Sequence, residues 1–374
     1  MSEGVARTMA GARNERRSAP HGRSELSDAV SGSMKAVRYG AVGRMAEVVR
    51  VPVPACPDDG VLVRVAATGV CRSDWHAWRG HDPVALPHIP GHELAGTIEA
   101  VGAQVTGWTV GDRVTVPFVL GCGRCEYCRD GQAQVCPDQL QPGFTLPGSF
   151  AELVALPRAW NLVRLPDSVS FVAAAALGCR FATAFRAVAG HGRIRAGQQL
   201  AVFGCGGVGL SAVMIGKALG ASVIAVDAEQ SALAAAEELG ADETVLVDDD
   251  VVDAIVRLTG GVHVGLDAIG RPEIAAASVR SLRPRGRHVQ VGLLLGAAAS
   301  TALPMDLVVA RELEIYGSHG MPAVDYPAML DLVVGGLDPE RLVARRVPLA
   351  EAGAALAAMD RPAGAGMTVV LPAG

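Results

Sequence analysis

Leu200-Ala-Val-Phe-Gly204-Cys-Gly206-Gly-Val-Gly209 carries an apolar strand into glycines spaced Gly-x-Gly-x-x-Gly. A helical pattern over 208–219 follows and stops at Gly220, and a second apolar strand over 221–226 ends in Asp227. The glycine pattern alone is weak. Strand, glycine turn, helix, strand and acid in this order make a βαβ unit that binds a dinucleotide. Gly204 permits the tight turn, Gly206 lets a pyrophosphate approach the backbone, and Gly209 lets the helix pack on the strand. The helix N-terminus offers free N–H groups to phosphate. Asp227, eighteen residues after Gly209, is placed to accept hydrogen bonds from an adenosine ribose diol. No Arg or Lys follows it through Glu237. A 2′-phosphate would meet a carboxylate with no neighbouring cation, which argues for NAD over NADP.

The alternation continues downstream. Helices over 231–239, 251–258 and 272–282 alternate with strands over 243–247, 263–269, 288–293 and 313–317, which predicts a six-stranded parallel sheet. A helix over 323–334 and a short strand over 367–371 close the chain. Upstream, alternating runs over 35–39, 46–52, 61–68 and 149–157 read as strands between Gly, Pro and Asp turns, and 172–178 opens a buried helix.

Two clusters of chemistry lie in the upstream half. Cys122, Cys125, Cys128 and Cys136 put half of the eight cysteines into fifteen residues. Thiolates packed so closely repel one another unless a cation neutralises them, and four soft sulfurs match the closed tetrahedral shell of a structural zinc. A pair of disulfides would need an oxidising compartment, which nothing here marks. An iron–sulfur run of the bacterial type has three residues before its fourth cysteine, where this chain has seven. The second cluster, Cys71, Ser73, Asp74, His76, His92 and Glu93, sets a thiol, a hydroxyl, two imidazoles and two carboxylates within 23 residues of a segment otherwise read as β. Cys179, beside Arg180, reads on its own as a small core residue.

A chain of 374 residues holds two ordinary domains. A net charge of −5 gives no electrostatic case for nucleic acid. No transmembrane segment is expected, and eight cysteines without a signal peptide point to a reducing, cytoplasmic setting. Residues 1–33, rich in Arg, Ser, Ala and Gly without periodicity, read as a disordered tail.

Together and in this order, the motifs resemble those of zinc-dependent alcohol dehydrogenases of the medium-chain dehydrogenase/reductase superfamily, from about Met34 onward. The resemblance implies an α/β fold: a mostly-β GroES-like catalytic domain over 34–180 and 324–374, and a Rossmann domain with a doubly wound parallel sheet over 181–323. The active site would lie in the cleft between them. It implies two zinc ions per chain. Cys71, His92 and Cys179 would hold a catalytic zinc with an open fourth position, and Cys122, Cys125, Cys128 and Cys136 a structural one. Zinc lowers the pKa of a substrate hydroxyl, and the alkoxide passes hydride to C4 of NAD. Ser73 matches the hydroxyl that bonds the substrate oxygen, and His76 the histidine that passes the proton outward. Asp74 matches the carboxylate that orients the His ligand, and Glu93 a glutamate behind the zinc. Arg72 matches a pyrophosphate contact, and Gly207, Val208, Ile269, Val291 and Gly292 join the cofactor site.

The chain departs from the family in two places. Met367 stands where members carry an Arg that touches the pyrophosphate. Cys179 in place of the Glu of sorbitol-type members disfavours a polyol substrate. Trp75, Trp78 and Phe118 imply an apolar pocket for small aliphatic or benzylic alcohols or aldehydes, with core packing the alternative for the two Trp, and the family's interface strands imply a homodimer or homotetramer.

Overall fold

The computed structural model describes residues 32–248, 250–360 and 366–372. The tail expected over 1–33 lies outside them except for Gly32 and Ser33, and Ser33 is already in a strand. That strand, β1 (Ser33–Arg38), pairs antiparallel with β2 (Glu47–Pro52). Next come β3 (Val61–Val70), β4 (Glu93–Val101), β5 (Arg113–Thr115), β6 (Leu153–Leu156) and β7 (Val163–Arg164). Then follow β8 (Gln199–Phe203), β9 (Ser222–Asp227), β10 (Glu243–Leu246), β11 (Val262–Asp267), β12 (Leu282–Gln290) and β13 (Glu314–Gly317). β14 (Val343–Pro348) and β15 (Met367–Leu371) complete the strands of the described residues.

β8 to β13 form the six-stranded sheet in the order β10-β9-β8-β11-β12-β13, every neighbour parallel. The chain winds outward from β8 to β10, returns to the centre and winds the other way. The strand order therefore reverses between β8 and β11, where such sheets open a crevice at their carboxyl ends. The other large sheet runs β14-β15-β3-β4-β5-β7, with β6 also on β3; only its β14–β15 pair is parallel.

Five strands differ from the sequence reading: β4, β5 and β7 fall where it placed no strand, and β12 and β14 depart from it in other ways. β12 starts at Leu282 rather than 288, because Arg283-Pro284-Arg285 reads as a turn although it continues the strand. β14 was not expected, since Arg345 and Arg346 hide its alternation.

Residues 72–78 are helical where the sequence suggested β. The Cys71 N–H donates to Asp74 Oδ2 at 3.0 Å, which closes a capping box over the first turn of Arg72–Trp78.

Phe171–His191 is a single 21-residue helix, long and apolar enough to cross a bilayer, but 78% of its most apolar window is buried in this fold. It packs against β3 and β4 on one side and the helix Gly207–Ala218 on the other, and crosses the domain boundary expected at 180/181. Leu177 and Phe181 are fully buried there, each worth about 1.5–3 kcal/mol. Its hydrogen bonding loosens to π-type turns at Leu177–Phe181 and Arg186–His191, and the first of these carries Cys179.

Candidate active site and metal centres

Cys71 closes β3, His92 precedes β4, and Cys179 lies in the π turn of the long helix. The fold brings their two sulfurs and one ring nitrogen within 4.8 Å of one another. His92 is buried, and its Nδ1 donates to Asp74 Oδ1 at 2.9 Å, which leaves Nε2 free. That Nε2 is buried with no hydrogen-bond partner. An orphaned buried imidazole nitrogen facing two thiols fits a metal that takes all three, with the carboxylate–histidine pairing such ligands use. Asp74 Oδ1 also accepts from the Gly91 N–H at 3.0 Å, so one carboxylate fixes both ligand-bearing segments. The charge balance agrees. Hydrogen bonding from the Cys179 thiol, with help from the Arg180 cation, pulls the Cys71 thiol well below its ordinary value and pushes Cys179 up. Burial alone would lower His92, but the Asp74 carboxylate overrides it and raises it.

Behind this triangle Glu93 is completely buried, and Arg180 grips it bidentately, Nε at 3.1 Å and Nη2 at 2.6 Å. The Cys179 and Arg180 N–H groups also donate to Glu93 Oε1, each at 3.2 Å. Burial pushes the Glu93 carboxyl up while the Arg180 cation holds it down. Gly178 passes so close that a Cβ there would sit 2.7 Å from Glu93 Cα.

The glycine turn lies at the carboxyl end of β8. A Cβ on Gly209 would fall 1.6 Å from the Gly204 carbonyl oxygen, whereas one on Gly206 would meet nothing within 4 Å. The first glycine is needed for packing; the second leaves an open cradle at the start of a twelve-residue helix, as a pyrophosphate requires. Ile269 lies over the turn, its Cγ1 2.5 Å from where a Gly204 Cβ would be. Asp267 ties Ile269, Val291 and Gly292 together: its carboxylate accepts from the Ile269 N–H at 2.7 Å, and its carbonyl accepts from Val291 and Gly292 at 2.9 and 2.8 Å. Val208 is in the first turn of the helix. Asp227 Oδ2 accepts from the Cys205 N–H at 2.6 Å and Oδ1 from the Glu229 N–H at 3.0 Å, so its carboxylate is held rigidly at the end of β9.

Cys122, Cys125, Cys128 and Cys136 also converge within 4.8 Å. All eight cysteines are free thiols. The 3.7 Å between the sulfurs of Cys125 and Cys136 is far beyond a disulfide bond, which removes the disulfide alternative. The loop orients itself: the Cys122 N–H donates to Cys136 Sγ at 3.2 Å, and Gly121 must be glycine because a Cβ would strike Cys128 Sγ at 2.8 Å.

The remaining expected residues divide. Ser73 Oγ is 3.9 Å from Cys71 Sγ. Phe118 stands edge-on to His92 with centroids 6.1 Å apart. Trp78 is buried at 4% exposure in a core cluster with Tyr39 and Phe150, its Nε1 donating to the Arg44 carbonyl, so it packs the core instead of facing a pocket. Trp75 Nε1 donates to Asp360 Oδ1 at 2.8 Å. The Arg72 guanidinium lies over Trp75 and donates to the Met359 carbonyl at 2.6 Å. The guanidinium side chain that meets the glycine turn is instead that of Arg180, whose Cδ lies 2.7 Å from where a Gly207 Cβ would be. Met367 is core. Sequence reasoning missed Phe144, 5.1 Å from the His92 ring, and His319, 5.4 Å from Phe118. Both sit in Gly-flanked loops with no periodic signal.

Comparison with known proteins agrees with this geometry. The family described as "Alcohol dehydrogenase GroES-like domain" matches residues 57–167, and "Zinc-binding dehydrogenase" matches 207–335. An NAD-dependent alcohol dehydrogenase of Sulfurisphaera tokodaii is 32% identical over 355 residues, 91% of this chain and 100% of the relative. A D-arabitol-phosphate dehydrogenase of Enterococcus avium is 33% identical over 86% of this chain and 93% of its own length. A crystal structure of a Sinorhizobium meliloti 1021 protein bound to NADP superimposes with a TM-score of 0.81, at 30% identity, covering 91% of this chain and all of the other. With the ordered motifs, the parallel sheet and the two thiol clusters, these likenesses lead to one conclusion: the chain belongs to the zinc-type alcohol dehydrogenases of the medium-chain dehydrogenase/reductase superfamily.

Proposed function

We propose that the protein is an NAD-dependent dehydrogenase that reversibly oxidises small primary or secondary alcohols, aliphatic or benzylic, to aldehydes or ketones. The observation that carries this reading is the buried triangle of Cys71, His92 and Cys179 with its orphaned Nε2, behind which Arg180 reaches to the glycine turn. When bound, zinc would supply a Lewis acid for the substrate oxygen and the nicotinamide a hydride acceptor. The chain's own residues do the rest. Cys71, His92 and Cys179 would hold the metal and leave one position open. Asp74 fixes the His92 ring. Ser73 would accept the hydroxyl proton and His76 would carry it outward. Phe118 and Phe144, edge-on and tilted against His92, would exclude water and wall the pocket. The open backbone at Gly206 and the helix start would bind pyrophosphate, and the anchored Asp227 the ribose diol. Asp227 with no cation after it favours NAD, although one structural neighbour is bound to NADP.

Cys122, Cys125, Cys128 and Cys136 would hold a second, structural zinc. Leu293, Leu295, Val309 and Ile315 lie exposed on and beside edge strand β13, which supports a homodimer or homotetramer. The test is NADH formation by the purified, zinc-loaded protein across primary, secondary, benzylic and polyol substrates, with NAD and NADP in parallel. Turnover with small alcohols and NAD is expected. Turnover confined to a sugar-alcohol phosphate, or to NADP, would overturn the specific reading.

A further inference from the structure

The helix Arg72–Trp78 ends in a turn whose side chains the proposed mechanism leaves unused. His76 Nδ1 lies 2.9 Å from Nδ1 of His81. Two ring nitrogens at that distance must have one proton between them, one ring donating and the other accepting. The backbone fixes the pair, since the His81 N–H donates to the His76 carbonyl at 2.9 Å. The Trp75 indole stands edge-on to both rings, with centroids 5.0 and 5.4 Å away, and is itself anchored on Asp360. His76 is half-buried and His81 is exposed, so the pair runs from the protein toward water. The charged and titratable groups around His76 are Arg72 and Cys71 at the start of its own helix and His81 and Asp82 in the turn; Asp360, hydrogen-bonded to Trp75, lies 3.7 Å from Arg79 Nε. Burial first, and the His81 charge second, lower the His76 pKa, with Asp82 opposing. An imidazole so tuned hands a proton on more readily than it keeps one.

We infer that His81 is the outer member of a two-imidazole proton exit, taking from His76 the proton released by alcohol oxidation and delivering it to water. This rests on the dehydrogenase reading of the same site. As a proton arrives at the other ring nitrogen of His76, the Nδ1 proton passes to Nδ1 of His81, and the His81 cation gives one proton to water. One proton enters, one leaves, and no charge stays on the pair. His81 acts through His76 and touches no reacting atom, so it is a positioning residue.

The test uses the full-length, zinc-loaded protein and its His81→Gln variant. At saturating alcohol in dilute, non-imidazole buffer, kcat of the variant is expected to fall about five- to tenfold. Added imidazole should restore it while leaving wild type unmoved. The acid limb of the pH profile should move to higher pH in the variant, because a repelling cation beside His76 is gone. A second readout does not need turnover: histidine-selective 13C NMR of the NAD-free protein should show the His76 midpoint rising in His81→Gln. If wild type oxidises no alcohol yet that midpoint rises, the dehydrogenase reading fails and the proton-sharing pair stands. If the midpoint, the acid limb and the buffer dependence are all unchanged in His81→Gln, the inference is overturned.

Discussion

The two thiol clusters are assembled in opposite ways. Cys122, Cys125, Cys128 and Cys136 come from one loop of fifteen residues, half-exposed except for Cys136, and the Cys122 and Cys125 N–H groups already point at the sulfurs of Cys136 and Cys122. Cys71, His92 and Cys179 come from the end of one strand, the start of another and the middle of a helix. They are surrounded by the fully buried Asp74 and Glu93 and by Arg180. A metal bound in the loop would draw four thiols of one short, half-exposed segment into a single shell. A metal in the triangle would be received by a site the fold has already built. The difference teaches that removing a ligand from the first should cost folding, and from the second should cost chemistry.

The strongest way to break that contrast is Cys179→Ser. Losing one of three ligands should remove about 4 kcal/mol or more of transition-state stabilisation, so kcat falls by at least about a thousandfold. NAD affinity, read by fluorescence titration, and Tm should change little. A variant that kept wild-type kcat would sink the catalytic assignment. The mirror experiment is Cys136→Ala, at the one buried thiol of the loop. Bound zinc should fall by one per chain, and loss of that metal's share of the folding energy should lower Tm by about 10 °C or more. The kcat per folded molecule should stay within about threefold. A selective loss of kcat with unchanged Tm would reverse the roles of the two clusters.

Legibility in the sequence follows the same divide. The loop is visible because its ligands are close in sequence, and the glycine turn because strand, glycines, helix and acid must succeed one another to make it. Cys179 could not be told from core by its own neighbours; the family resemblance groups it with His92, and the fold brings the two together. Trp78 shows the limit from the other side, since a position beside catalytic motifs leaves pocket and core packing open, and this indole packs in the core. Arg180 was visible beside Cys179, but its grip on Glu93 spans 87 residues and no local pattern encodes it. β14 stayed hidden because its alternation is carried by arginines at an edge. Phe144, His319 and His81 sit in turns, where residue type sets no direction.

Supporting side chains sharpen the comparison at smaller scale. Asp74 holds the His92 ring and two backbone N–H groups, and Asp74→Asn should cost about 10- to 100-fold in zinc affinity or kcat. Its counterpart in the loop is Asn161, which accepts from the Gly121 N–H at 3.1 Å and donates back to the Gly121 carbonyl at 3.3 Å. Asn161→Ala leaves those buried groups unpaired and should cost about 1–3 kcal/mol of stability with no specific effect on turnover. Zinc titration against a competing chelator, beside thermal melts, separates the two. Equal loss of metal affinity at both centres would erase the distinction.

The smallest effect concerns pH. His88 lies on the segment leading to His92 and is buried, its Nε2 bonded to the Gly143 carbonyl at 2.8 Å. Burial lowers its pKa from the ordinary 6.5, and burial lowers that of His288 in β12 likewise. The four-thiol loop, 122–136, contains no histidine. Since the folded protein holds these rings neutral, the unfolded chain binds more protons below about pH 6.5, and stability must fall as pH falls through that range. Each ring contributes at most about 1.4 kcal/mol per pH unit. Thermal melts from pH 7.5 to 5 should show Tm declining toward acid, and His88→Gln, which keeps a hydrogen-bonding side chain without the titration, should flatten part of that decline. An unaltered acid slope in His88→Gln would place the sensitivity elsewhere, with His288→Gln the next variant to melt.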